Sequence, residues 1–135
     1  MRFMMLVKLP GDYAGAVPTA EDTARMQTYN EELNRAGVLL ALDGLHPMAE
    51  GALVTFSGGR GHVVDGPFTE VKELIGGYWV IQVSSKEEAL EWAKRCPMDD
   101  GHVLEVRRIA DLADFPADVR AAATLSKLPP EQTGS

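Results

Sequence analysis

Three observations predict an α+β fold with one antiparallel sheet. Short apolar runs with strand character alternate with two segments of helical periodicity, in the order β–α–β, hairpin, β–α–β. Turn chemistry falls between them: Pro10-Gly11, Asp43-Gly44 and Gly58-Gly59-Arg60-Gly61. At 135 residues the chain has the length of a single domain with a core of its own.

The first strand is read over Arg2 to Lys8, a Met- and Leu-rich run ended by Pro10 and Gly11. A loop with two prolines and two glycines occupies residues 9–18. The first helix is expected from Ala20 to Ala36, with Thr19 as N-cap and Glu21 and Asp22 in the first turn, where the helix dipole favours anions. Met26, Tyr29, Leu33 and Ala36 form its apolar stripe. Glu31 and Arg35 are spaced to pair. Gly37 suits a left-handed stop.

Val38 to Leu42 is the second strand, and Leu45-His46-Pro47 continues extended because of the proline. Ala52 to Phe56 and His62 to Val64 read as a hairpin around the glycine-rich turn. Thr69 to Ile75 is expected to hold at most two helical turns, and Gly76-Gly77 to stop them. Tyr78 to Val83, aromatic and β-branched, is the strongest strand signal. Ser85-Lys86-Glu87-Glu88 is a capping box opening a helix with Ala89, Trp92, Ala93 and Cys96 on one face, stopped by Pro97. Val103 to Ile109 is the last strand. A short amphipathic helix with Val119, Ala122 and Ala123 is expected within 111–127, and residues 128–135 read as disordered.

This order is that of a ferredoxin-like unit, in which two helices cover one face of the sheet. The strands do not alternate cleanly, so the other face also reads as apolar. An open apolar face must be covered, and a second copy of the chain is the simplest cover, which predicts a symmetric homodimer.

Charge excludes some partners. With 20 acidic against 13 basic residues the net charge is −7, which argues against nucleic acid and anionic membranes. The single cysteine, Cys96, allows no internal disulfide and fits a reducing cytoplasm. The N-terminal apolar run is too short for a signal peptide, and no stretch approaches a membrane span. Three scattered histidines and one cysteine give no zinc-like spacing. No phosphate loop and no serine nucleophile elbow are present, so neither metal nor cofactor is expected. Trp79 and Trp92 read as core.

Residues 65–77, Asp-Gly-Pro-Phe-Thr-Glu-Val-Lys-Glu-Leu-Ile-Gly-Gly, are the most distinctive stretch. Asp65 stands at a strand end and is the first acid/base candidate, partly shielded by Phe68 and Tyr78. Its alternative role is to cap the turn that follows. His46 is the second candidate, since its ordinary pKa suits proton transfer near neutrality; the alternative is a surface histidine. Lys72, Glu73, Arg107 and Tyr78 are candidate ligand-binding residues. Structural pairing is the competing account of the three charged ones, with Arg107 placed to meet Glu73 or Glu105. His62 lies on the opposite strand face from Asp65, and His102 reads as solvent-exposed.

Asp65-Gly66-Pro67-Phe68, followed by Lys72-Glu73 and Gly76-Gly77-Tyr78, resembles the signature of the DGPF branch of the YCII-related proteins. Tyr29-Asn30-Glu31-Glu32-Leu33, Ala36-Gly37-Val38-Leu39, Gly44-Leu45-His46-Pro47, Glu88-Ala89 with Trp92-Ala93, Cys96-Pro97 and Glu105-Val106-Arg107 extend the likeness over about residues 1–110. Arg108, where the family often has proline, and the extension 111–135 depart from it. The resemblance implies a dimeric α+β barrel, two ferredoxin-like units joined sheet to sheet. It also implies kinship with small isomerases, monooxygenases and dehydrohalogenases that hold no tight cofactor, and a His–Asp catalytic unit such as has been proposed for YCII-like members. Most DGPF members have no assigned reaction. The expectation is therefore a cofactor-independent isomerase or lyase using His46 and Asp65. The alternatives are a small-ligand sensor or dimeric adaptor, or cofactor-free oxygenase chemistry.

Overall fold

The computed structural model describes residues 1–11, 18–65 and 73–122. Its elements are β1 (Arg2–Pro10), α1 (Ala20–Arg35), β2 (Leu39–Gly44), a 3-10 turn (Met48–Glu50), β3 (Ala52–Ser57), β4 (Arg60–Asp65), β5 (Glu73–Gln82), α2 (Lys86–Lys94), β6 (Val103–Arg108), a 3-10 turn (Leu112–Asp114) and α3 (Ala117–Ala122). Four strands form an antiparallel sheet in the order β2-β5-β1-β6, consistent with a ferredoxin-like unit, and β3 and β4 form a separate two-stranded sheet. The fold is α+β, as expected.

The core lies on one face of the larger sheet. Phe3 pairs with Ile81 and Met5 with Trp79, so these four side chains point the same way. They are buried together with Tyr29 and Leu33 of α1 and Ala89 of α2. Tyr29 meets Trp79 edge to face, with ring centres 5.8 Å apart, and its hydroxyl donates to the Trp92 carbonyl at 2.8 Å. Burial pushes the Tyr29 phenol far above its ordinary pKa. The half-buried Cys96 thiol is pushed up to about 12 by the same cause, so it stays protonated at neutral pH.

Helix ends follow the sequence. The Thr19 hydroxyl accepts from Asp22 N–H, and Gly37 has φ of 73°. Ser85 accepts from Glu88 N–H at 3.1 Å, but the returning Glu88 carboxylate takes the Ser84 N–H and hydroxyl instead of the Ser85 N–H. Those bonds lower the Glu88 pKa. In α1, Glu31 accepts from Gln27 rather than meeting Arg35.

The largest correction concerns residues 73–75. A helical turn was expected there, yet Glu73, Leu74 and Ile75 are extended and pair with Pro10, Leu9 and Lys8. The Gly76-Gly77 pair does not stop an element; β5 runs straight through it. Pairing with β1 overrides the helical pattern of the polar residues, as tertiary context commonly does. The bend, Gly66, Pro67, Phe68 and Lys72, the loop 12–17 and the tail from Ala123 lie outside the described residues.

The opposite sheet face carries Met4 beside Val80 and Leu6 beside Tyr78, all half-buried. The β3–β4 hairpin is exposed along its whole length. Its turn is Gly58-Gly59 with φ of 58° and 76°, the conformation of a type I′ hairpin turn. One hairpin face holds Val54 opposite Val63 and Phe56 opposite Gly61. A Cβ on Gly61 would lie 3.2 Å from the Phe56 ring, which rests over that glycine.

Leu33 is fully buried in the last turn of α1. Leu33→Ala is expected to cost about 2–5 kcal/mol, read as a lower denaturation midpoint with an unchanged slope; a loss under 1 kcal/mol would mean this core is loosely packed.

Candidate functional site

Within one chain, the described residues singled out from the sequence do not converge on one hollow. His46 lies between β2 and the 3-10 turn, with its side chain 88% exposed, and its Nδ1 is 2.9 Å from Glu50 Oε2. Asp65 ends β4, opposite Ala52, and is exposed. Among the described residues no hydrogen bond joins His46 to Asp65. Glu73 pairs with Lys8 at 3.1 Å, and Lys8 also reaches Glu105 at 4.0 Å. Lys8, rather than Arg107, thus takes both carboxylates. Arg107 is exposed, opposite Met4.

A cleft of about 670 Å³ opens between the first turns of α1 and one end of the sheet. This is the size of a pocket for a small organic molecule. Its apolar walls come from Val7, Leu9, Met26, Leu42 and Trp79, and Pro97, Met98 and His102 close one side. A shallower hollow of about 440 Å³ between α2 and β6 has only surface charges, Glu87, Glu91 and Lys94, as polar groups.

The cleft exists because the sheet narrows there. A Cβ on Gly76 would sit 2.7 Å from Leu9 Cδ1, and one on Gly77 would sit 2.9 Å from the Asp43 carbonyl oxygen. Glycine at both positions lets β1 and β2 close against β5 without side chains filling the space. The register also shifts between Val7 and Lys8, a bulge of the kind that re-aims side chains.

Three polar arrangements involve residues that border the cleft, although the strand register sets the Tyr78 and Asp43 side chains on the sheet face opposite Trp79. Trp79 Nε1 donates to Asn30 Oδ1 at 2.8 Å. An indole N–H can only donate, so the carboxamide oxygen is fixed toward Trp79. The Tyr78 hydroxyl donates to Asp43 Oδ2 at 2.8 Å, and this bond to a carboxylate raises the Tyr78 pKa. Arg25 bonds to Asp22 at 2.7 Å and approaches Asp99 at 3.9 Å; the Asp22 bond lowers the Asp22 pKa and raises that of Arg25. Of the described sequence candidates only Tyr78 borders this cleft. Asn30, Arg25, Asp43 and Asp99 were not singled out as site residues: Asn30, Asp43 and Asp99 meet partners from distant segments, and the local Arg25–Asp22 spacing is that of an ordinary helix pair. His102, read as solvent-exposed, is half-buried on the cleft wall. Among the described residues no cluster of three or more His, Cys, Asp or Glu could hold a metal ion. No helix among them is long and apolar enough to cross a membrane.

Residues 1–113 match the family model of the YCII-related domain. The chain belongs to the YCII-related family. It is also 39% identical over 59 residues to an uncharacterised protein of Rhizobium meliloti (strain 1021), a stretch covering 44% of this chain and 48% of that protein. The chain thus spans about half the length of the curated relative it matches.

If the Asp43 carboxylate holds the Tyr78 proton, Asp43→Asn should bring the Tyr78 pKa down toward the ordinary value of about 10. The folded value is raised, so the bond stabilises the fold below that ordinary value and stops doing so as pH rises through the folded one. An NMR titration of the Tyr78 ring reads this; an unchanged midpoint would assign the shift to another cause.

Proposed function

We propose that this YCII-related protein is a homodimeric small-molecule-binding protein whose ligand lies in the cleft between α1 and the glycine-bearing end of β5. One observation carries the reading. The cleft is walled by apolar side chains and holds a carboxamide, Asn30, already oriented by a buried indole. Preset polar groups on an apolar wall are what fix a ligand's orientation at low entropic cost.

Proton spectra of the amides in the full chain, recorded with a panel of neutral and charged aromatic fragments, test it. Fragments that bind should move the Trp79 indole, Asn30 side-chain, Gly76 and Gly77 signals together. A panel that leaves all four unmoved removes the reading.

A second reading keeps His46 and Asp65 as the acid/base pair of a cofactor-independent isomerase or lyase. The His46–Glu50 hydrogen bond favours it, because a carboxylate on one ring nitrogen orients the imidazole and leaves the other nitrogen to exchange a proton. Turnover of a bound compound that vanishes in both His46→Ala and Asp65→Asn, with binding retained, would convert the first reading into this one.

The dimer rests on the hairpin and the open sheet face. A two-stranded ribbon is marginal by itself in water. This one exposes Phe56 by 79% and Val63 by 68% on a face with only Asp65 charged. Met4, Leu6, Tyr78 and Val80 offer a complementary apolar surface on the sheet, and a twofold arrangement covers both surfaces in both copies. In this reading the two sheets approach as in a dimeric α+β barrel. Light scattering at micromolar concentration should give twice the 14.6 kDa chain mass, and Phe56→Lys with Val63→Lys should give the chain mass. A wild-type chain that stays at 14.6 kDa would overturn the dimer.

A further inference from the structure

Resting on the cleft reading above, we infer that the ligand is an uncharged, largely apolar molecule bearing a carbonyl-type hydrogen-bond acceptor, and that the cleft discriminates against carboxylates.

The acceptor follows from Asn30. Its oxygen is engaged by the Trp79 indole N–H at 2.8 Å, and that assignment is forced, because the indole cannot accept. The two N–H groups of the same carboxamide have no partner among the described residues, and the residue borders the cleft. A donor with a fixed direction beside an apolar wall selects a molecule that supplies an acceptor there. An analogue without one leaves the amide unpaired once water is displaced.

The absence of charge follows from the remaining polar groups. Among the described lining residues the charged or titratable side chains on the helix side are Asp22, Asp99, Arg25 and His102, while the Asp43 carboxylate stands with Tyr78 on the opposite sheet face. Arg25 is already spent on Asp22 and Asp99. One Asp43 oxygen holds the Tyr78 hydroxyl. With Arg25 committed in this way among the described side chains, a ligand carboxylate would approach the like charges of Asp22 and Asp99. A ligand cation would find these carboxylates at the rim, yet the interior wall of Leu9, Met26, Leu42 and Trp79 offers it no partner for its desolvated charge. A neutral body with one acceptor satisfies wall and amide together.

Three probes of one shape separate the possibilities: 2-acetonaphthone, naphthalene and 2-naphthoate, titrated into the full chain and followed at the Trp79 indole and Asn30 side-chain signals. The ketone should bind about tenfold more tightly than the carboxylate and shift the Asn30 N–H signals most. Asn30→Ala should abolish the preference of the ketone over naphthalene. Should that variant not fold, Asp99→Asn, at an exposed position, gives an independent arm and should narrow the gap between ketone and carboxylate. Binding of 2-naphthoate at this cleft as tightly as the ketone would overturn the ligand class while leaving the cleft reading intact. An unchanged ketone-to-carboxylate gap in Asp99→Asn, or an unchanged ketone preference in folded Asn30→Ala, would equally overturn the class. Failure of all three probes to move either signal would overturn both readings.

Discussion

The β1–β5 pairing is the constraint on which the rest of the molecule depends. It sets Phe3 against Ile81 and Met5 against Trp79, and it does so on the face that α1 and α2 cover. A slip of one residue would turn all four to the other face. Trp79 then serves two ends. Its ring is buried against Tyr29 in the core, while its N–H reaches Asn30 on the cleft wall. Core packing and the polar geometry of the cleft are therefore one arrangement. A change that loosens the helix–sheet contact also releases the carboxamide.

The same strand pair explains where the hollow lies. Toward the buried end of β5, each side chain on the helix face has a partner above it. Toward Gly76 and Gly77 the sheet gives up side-chain volume, Leu9 leans over the vacant position, and the Val7–Lys8 bulge shifts the register. Helix α1 begins above this end with small and polar residues, Thr19, Asp22 and Thr23, which fill less space than the Tyr29 and Leu33 turns further along. Missing volume on the sheet and short side chains on the helix together leave the space. It is a property of the local sequence, requiring no distortion of the fold.

Much of this was legible in the sequence and some was not, for identifiable reasons. Helix α1 could be read from Thr19 to Gly37 because caps and apolar spacing are local signals. The hairpin turn could be read because Gly58 and Gly59 supply the positive φ it needs. Residues 73–75 were misread because their polar pattern is local and their partner, β1, is more than sixty residues away. The glycine pair was taken as punctuation, although its function in the fold is to permit close approach across three strands. Asn30 escaped notice for the same reason as Asp99: each gains its meaning from a contact across the fold, Asn30 with Trp79 and Asp99 with Arg25. Periodicity carries no information about such pairs. His46 and Asp65 were legible as residue types suited to proton transfer, but type alone did not say that they border a different part of the surface from the cleft.

That separation has a physical consequence. The described cleft is built within one chain, from α1, β1, β2, β5 and the segment around Met98. His46 and Asp65 belong instead to the arm that carries the exposed hairpin, and their carboxylate and imidazole lie in water in the lone subunit. Were the apolar hairpin face covered by a second copy, the residues at the base of that arm would be the ones to lose solvent. Desolvation is the strongest means of moving a carboxyl or imidazole pKa toward a catalytic value. Ligand affinity at the cleft would then be set within each subunit, whereas any acid/base character of His46 and Asp65 would be set by assembly. On the proposed readings, binding and proton transfer would thus be governed by two different surfaces, one closed by α1 over the sheet and the other left open along Val54, Phe56 and Val63.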